Sequence, residues 1–244
     1  MTTAPLFYKK VVPLNKEQHR KLYIETVEGF GFARQTNSLY IAAVEFANIS
    51  REYPIVFGND SNGGIFPVVL LGLKNNQNLF VNGKGAWKAT YIPAYVRRYP
   101  FILASTDTDT DTDASQFTVC IDEAYTGFNT AEEGQALFDE TGEHTPMLQQ
   151  AVDFLKDYQN HVQLTTAFCQ NMQDLDLLEP MQATIEMRSG EKLAIGGFQC
   201  VNRKKLIALQ DDKMADLVKN GQMELIYTHL LSMNNVTTLM NMLN

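Results

Sequence analysis

The hydrophobic pattern changes about halfway along the chain. In the first half, short apolar runs rich in β-branched and aromatic residues are bounded by Gly, Pro and Asn, which predicts strands. In the second half, apolar residues recur every three or four positions from Pro146 to about Met172, which predicts one long helix. The predicted strands are 7–14, 54–57, 65–73, 79–81, 101–103 and 117–121.

Turn signals join these strands into a β-meander. The segment 58–64, Gly-Asn-Asp-Ser-Asn-Gly-Gly, and the pair Asn82-Gly83 are typical of turns between antiparallel strands. Helices are predicted beside the sheet at 16–23 and around 42–47, where apolar residues share one face.

The second half begins with a clear helix start, because Thr145 can cap the helix and Pro146 suits its first position. A hairpin of 183–187 and 193–201 should follow, turning at Ser189-Gly190 and bulging at Gly196-Gly197. Three short helices are then predicted, at 203–209, 213–219 and 223–233.

These elements predict an α+β fold. Its N-terminal half is a mostly antiparallel β-meander packed with helices, and its C-terminal half holds one long helix, a hairpin and short helices. We expect a β-rich lobe at 1–125 and a helical lobe at 145–244 with the hairpin at 183–201, together forming one compact unit.

Residues 105–115 are expected to form an acidic loop containing four Thr-Asp repeats, 106–113. The repeat resembles the start of a calcium loop. Counted from Asp107, however, Thr112 stands where that loop needs Gly and Thr118 where it needs Glu. A solvated loop without a metal is the favoured interpretation.

The segment 86–104 is the candidate site, because it combines the only Trp with tyrosines and two adjacent arginines. One interpretation is a core connector whose aromatics pack and whose arginines cap a short helix. The other is a binding site for a carboxylate, a phosphate or a peptide strand. The candidate ligand-binding residues of the segment are Trp87, Tyr91, Tyr95, Arg97 and Arg98.

Glu45 and His19 complete the candidate site residues. Glu45 is on an otherwise apolar helix, where it is either the solvated edge, the favoured interpretation, or the partner of a buried arginine such as Arg97. His19 has no partner at metal-ligand spacing, so a structural or surface role is favoured.

Charge and cysteine content narrow the possible partners and compartment. Twenty basic and 28 acidic side chains give a formal charge of −8, which disfavours nucleic acid and anionic membranes as partners. The cysteines, Cys120, Cys169 and Cys200, are predicted to be buried thiols in a reducing compartment. The longest apolar run, 65–73, is half of a membrane span, and no signal-peptide pattern is present, so we expect a cytoplasmic protein.

No sequence motif indicates catalysis, a cofactor or a metal. The segment 29–34 contains Gly-x-Gly but lacks the third glycine of a dinucleotide fingerprint, and the sequence contains neither a Cys-x-x-Cys pair nor a zinc-ligand spacing. We therefore predict no cofactor, no metal site and no catalytic residues, and we leave enzymatic activity open, with its absence favoured.

Two distinctive pieces, Tyr-Ile-Pro-Ala at 91–94 and Arg-Arg-Tyr-Pro-Phe at 97–101, show where the chain resembles the bacterial SapC-like proteins. The resemblance extends from Val12-Pro13-Leu14 to Leu230-Leu231-Ser232. It implies a protein labelled as surface-layer related by gene locus. Similar proteins are typically encoded beside flavin halogenases, JmjC-type oxygenases and TonB-dependent receptors, and no established reaction comes with the family.

Three functions remain open from the sequence. The favoured one is a non-catalytic accessory protein that binds a peptide or partner protein and presents it to a neighbouring modifying enzyme. The first alternative is a surface-layer-associated structural protein, which the absence of a signal-peptide pattern weakens. The second is an uncharacterised enzyme whose polar centre combines His19, Glu45, Arg97 and Arg98.

Overall fold

The computed structural model describes residues 5–27, 29–105, 117–186 and 192–243. The Thr-Asp repeat at 106–113 and the turn at Ser189-Gly190 lie outside them. The chain divides into two compact units, and each takes segments from both halves of the sequence. Unit 1 comprises Met1–Gly29 and Val96–Gln159, and unit 2 comprises Phe30–Tyr95 and Asn160–Asn244. This division differs from the expected lobes at 1–125 and 145–244.

The described chain combines helices with antiparallel sheets and is therefore α+β. Two 3-10 turns, Gly31–Ala33 and Ala43–Glu45, lie in unit 2. The strands are β1 Val11–Pro13, β2 Tyr23–Ile24, β3 Ser38–Tyr40, β4 Ile55–Asn59, β5 Ile65–Leu70, β6 Phe101–Ser105, β7 Phe117–Asp122, β8 Phe128–Asn129, β9 Gln135–Ala136, β10 Leu178–Glu186 and β11 Lys192–Val201. The helices are α1 Phe46–Ile49, α2 Ala94–Arg97, α3 Pro146–Asp174, α4 Arg203–Ile207, α5 Asp211–Lys219, α6 Gln222–Ser232 and α7 Asn235–Leu243.

Unit 1 contains two three-stranded sheets, in the orders β1-β7-β6 and β8-β2-β9. Its core forms where strand side chains meet the first half of α3, which begins as predicted: the Thr145 hydroxyl accepts a hydrogen bond from Leu148 N at 3.4 Å. Burying such large apolar side chains contributes about 1.5 to 3 kcal/mol each. The core consists of Phe101, Ile121, Leu137, Phe138, Leu148, Val152 and Leu155.

Unit 2 contains a five-stranded antiparallel sheet in the order β10-β11-β4-β5-β3. The predicted turn between β4 and β5 forms because Asp60 Oδ1 accepts hydrogen bonds from the amides of Asn62 and Gly64, each at 2.8 Å. The predicted bulge also forms: the pairing of β10 with β11 shifts between Met181 and Ala183, opposite Gly196-Gly197, and Gly197 has φ +84.

Three local predictions are wrong, and one helix was not predicted. The segment 16–23 forms turns and the start of β2 instead of a helix, because Tyr23 and the following Ile24 pair with β8 and β9. The segment 79–81 contributes only one bridge, from Val81 to Trp87, and the first strand is shorter than 7–14. The additional C-terminal helix α7 was not predicted.

Candidate functional site

The predicted site residues fall into two groups, one in each unit. Glu45, Trp87, Tyr91 and Tyr95 belong to unit 2. His19, Arg97 and Arg98 belong to unit 1. The division falls between Tyr95 and Val96, inside the segment that the sequence marks as the candidate site, so each group is described by itself.

Glu45 is a buried acceptor, and its expected position on a solvated edge is wrong. Only 3% of the residue is exposed. Its Oε2 accepts from Ala42 N at 3.0 Å, and its Oε1 accepts from Ala94 N at 2.7 Å and from the Tyr91 hydroxyl at 3.0 Å. A buried carboxylate is retained because such hydrogen bonds compensate for its lost hydration. Glu45 thus ties the start of α2 to the 3-10 turn that precedes α1.

A second set of hydrogen bonds fixes Trp87 and Tyr91. Trp87 Nε1 donates to the Tyr53 hydroxyl at 2.7 Å, and that hydroxyl donates to Tyr91 O at 2.5 Å. Burial raises the pKa of Tyr53, so the hydroxyl keeps its proton. Phe30 packs edge-on against Trp87, with the ring centroids 5.7 Å apart. The polar groups of Trp87 and Tyr91 therefore hold this part of unit 2 together.

His19 has a structural place in unit 1. It is 7% exposed, and its Nδ1 accepts a hydrogen bond from Asn15 N at 2.9 Å. This bond assigns the proton of the neutral ring to Nε2. His19 closes the turn that replaces the predicted helix.

Arg98 lies between two aromatic rings. Its guanidinium carbon is 5.3 Å from the centroid of the Tyr158 ring and 5.9 Å from that of the Tyr8 ring. The residue is half-buried, and the Tyr8 hydroxyl donates to Phe101 O at 2.7 Å, which fixes the ring. Cation–π contacts of this kind contribute about 0.5 to 2 kcal/mol. The position of Arg98 is therefore set by its own unit.

Arg97 also lies over an aromatic ring, that of Phe154, but unlike Arg98 it is exposed. Its guanidinium carbon is 5.0 Å from the centroid of the Phe154 ring. Phe154 in turn stacks on Tyr158, with centroids 6.5 Å apart and an interplanar angle of 24°. We call Tyr8, Arg97, Arg98, Phe154 and Tyr158 the arginine–aromatic platform.

The platform has the chemistry to recognise a planar anion. A guanidinium stacked on a ring has part of its conformational freedom removed, so it loses less entropy when it binds. Its N–H groups match the geometry of a carboxylate or a phosphate. The exposed Arg97 is the member best placed to contact a molecule from solution.

Sequence reasoning missed Asp122, the fully buried carboxylate of unit 1. Burial opposes its ionisation, but hydrogen bonds from Lys10 N at 2.8 Å, Lys9 N, the Tyr99 hydroxyl and Ala124 N outweigh burial and lower its pKa. The only sequence signal was an acidic residue directly after the apolar strand 117–121. Asp122 holds the N-terminal segment against β7.

No metal centre is evident in the part of the chain that the structure describes, where no three His, Cys, Asp or Glu side chains come together. The cysteines are free thiols, and Cys120 and Cys169 are buried. Burial raises the pKa of Cys169 to about 12, which keeps it protonated. Among the described residues, no helix has the length and apolar character required to span a membrane.

The fold and the arginine–aromatic platform define an α+β protein with a candidate anion-recognition surface. A family model named SapC matches residues 14–239, so the chain belongs to the SapC family. No curated protein and no solved structure matches the chain.

Proposed function

We propose that the protein is a non-catalytic accessory protein that binds a peptide or partner protein through the arginine–aromatic platform. The observation that carries this proposal is Arg97, an exposed guanidinium positioned 5.0 Å over the Phe154 ring. Arginine and aromatic side chains dominate the binding energy of protein interfaces. Because Arg97 and Phe154 are already stacked in the free protein, their side chains lose little conformational entropy when the partner binds.

The two arginines have different roles in this proposal. Arg98 is half-buried between Tyr8 and Tyr158 and stabilises unit 1. Arg97 contacts the partner, and a carboxylate of the partner is the matching group. In the cell, the protein would present the bound partner to a modifying enzyme. The proposed enzyme is a flavin halogenase or a JmjC-type oxygenase encoded nearby.

Arg97→Ala and Arg97→Lys are the decisive variants, with Arg203→Ala as the matched control because Arg203 is an exposed arginine of unit 2. Full-length wild-type protein is immobilised, and the captured partner is identified by intact mass and then titrated. We expect Arg97→Ala to weaken binding about tenfold or more, with an unchanged melting temperature. Arg97→Lys should bind the partner only slightly more tightly than Arg97→Ala does, because an ammonium group cannot bind a carboxylate in bidentate geometry.

Two results would count against the proposal. Binding that is unchanged in Arg97→Ala would make the platform a structural feature. A parallel loss of binding and of melting temperature would show that the variant acts through unfolding. Arg98→Ala should lower the melting temperature, which distinguishes the two arginines.

The proposed location is the cytoplasm, with all three thiols reduced. Burial raises the pKa of Cys120, Cys169 and Cys200, so each thiol reacts slowly at neutral pH. Thiol titration of protein from fractionated cells tests the location. Recovery of most of the protein from the cell surface would instead support the surface-layer alternative.

A further inference from the structure

Unit 2 contains a cleft that the platform does not involve. It lies where the end of α3 meets α5 and the start of α6, and its volume is about 500 Å³. Clefts of this size accommodate small organic molecules. We call it the α5–α6 cleft. The polar side chains that line it are Asn171, Lys213, Asp216, Lys219, Asn220 and Gln222.

The hydrogen bonds at the cleft leave donors available. Gln222 Oε1 accepts from Asn171 Nδ2 at 2.5 Å, and Asn220 Oδ1 accepts from Gln222 N at 3.0 Å. The oxygens of Asn220 and Gln222 are thus used within the protein, and the NH₂ groups of both amides remain as donors. Lys213 and Lys219 form no ion pair with any residue that the structure describes.

Two ammonium groups and two amide NH₂ groups therefore line the cleft, against the single carboxylate of Asp216. With two lysines and one aspartate, the charged side chains of the cleft are net positive, whereas the whole protein has a net charge of −8. We propose that the α5–α6 cleft binds a small molecule through a carboxylate or phosphate group. The oxyanion accepts from the two lysines and from the amides of Asn220 and Gln222. This site is independent of the proposed partner binding.

The test uses the full-length protein, titrated at low ionic strength with inorganic phosphate and, separately, with citrate. Two-dimensional ¹H–¹⁵N spectra follow the side-chain amides of Asn220 and Gln222. We expect saturable shifts of these signals, and the tighter probe identifies the group as a phosphate or a carboxylate. Lys213→Gln and Lys219→Gln should each weaken binding about threefold to tenfold. Asp216→Asn should tighten it about twofold to fivefold.

Lys204→Gln is the matched control, because it removes the same charge from the exposed surface of α4, outside the cleft. It should leave the affinity unchanged. An equal weakening by Lys204→Gln would overturn the proposal, because the effect would then follow net charge alone. The absence of saturable shifts at Asn220 and Gln222 at millimolar phosphate and citrate would also overturn it.

Discussion

His229 makes the stability of unit 2 depend on pH. It is fully buried in α6, where its ring lies 5.0 Å from that of Phe57. Its Nε2 accepts from Val201 N at 3.1 Å, and its Nδ1 lies 2.8 Å from Ile55 O, to which it donates. Burial lowers the pKa of His229 to about 4, against 6.5 for the unperturbed group. A proton added to Nε2 would also remove the acceptor for Val201 N.

The direction of the effect follows from proton binding. Below pH 6.5 the unfolded chain binds a proton at His229 that the folded chain does not bind until the pH falls to about 4. The folded state is therefore at its most stable, with respect to this group, above pH 6.5 and loses stability as the pH falls to 4. The free energy of unfolding should decrease by about 2 kcal/mol at pH 5 and by about 3 kcal/mol at pH 4.

Urea unfolding monitored by fluorescence of Trp87 measures this change, because Trp87 is the only tryptophan and belongs to the same unit as His229. His229→Gln should be less stable at pH 7 but should lose less further stability between pH 6.5 and 4. His144→Gln, which changes an exposed histidine, is the control and should follow the wild-type profile. Parallel pH profiles for His229→Gln and wild type would refute the argument, as would an imidazolium signal from His229 at pH 5.

Two further changes test the buried carboxylates. Glu45→Ala should lower the free energy of unfolding by about 3 to 5 kcal/mol, because three donors lose their acceptor. Urea unfolding checks this value, and a loss no greater than that of the exposed Glu224→Ala would contradict it. Tyr99→Phe should raise the pKa of Asp122, because it removes one of the hydrogen bonds that lower it. Titration of the Asp122 carboxyl carbon by NMR checks this, and an unchanged pKa would show that the hydroxyl contributes nothing.

The elements that could be predicted from sequence are those with local signals. The start of α3 depends on the adjacent residues Thr145 and Pro146, and its apolar stripe repeats over many turns. The bulge of β11 follows from Gly196-Gly197, where a positive φ at Gly197 requires a residue without a side chain. In each case, the residues that determine the structure are close together in the chain.

Features that depend on distant residues could not be predicted. Glu45 is buried because Tyr91 and Ala94, more than 40 positions away, donate to it, and helical periodicity carries no sign of that contact. Arg97 and Phe154 meet through the tertiary fold alone. The helix α7 is anchored in the same way, since Asn235 Nδ2 donates to the carbonyl oxygens of Ser50 and Tyr53.

Each unit is built from two separate segments of the chain, which constrains how the protein can fold during synthesis and how it can be divided into fragments. The chain passes from one unit to the other after residues 29, 95 and 159, so neither unit is a continuous stretch. During translation, unit 1 cannot be completed until Gln159 has left the ribosome, and residues 30–95 must wait longer for the segment that completes unit 2. A fragment cut at either expected lobe boundary would separate strands and helices that share a core. An isolated unit would require a gene in which two distant segments are joined by a new linker.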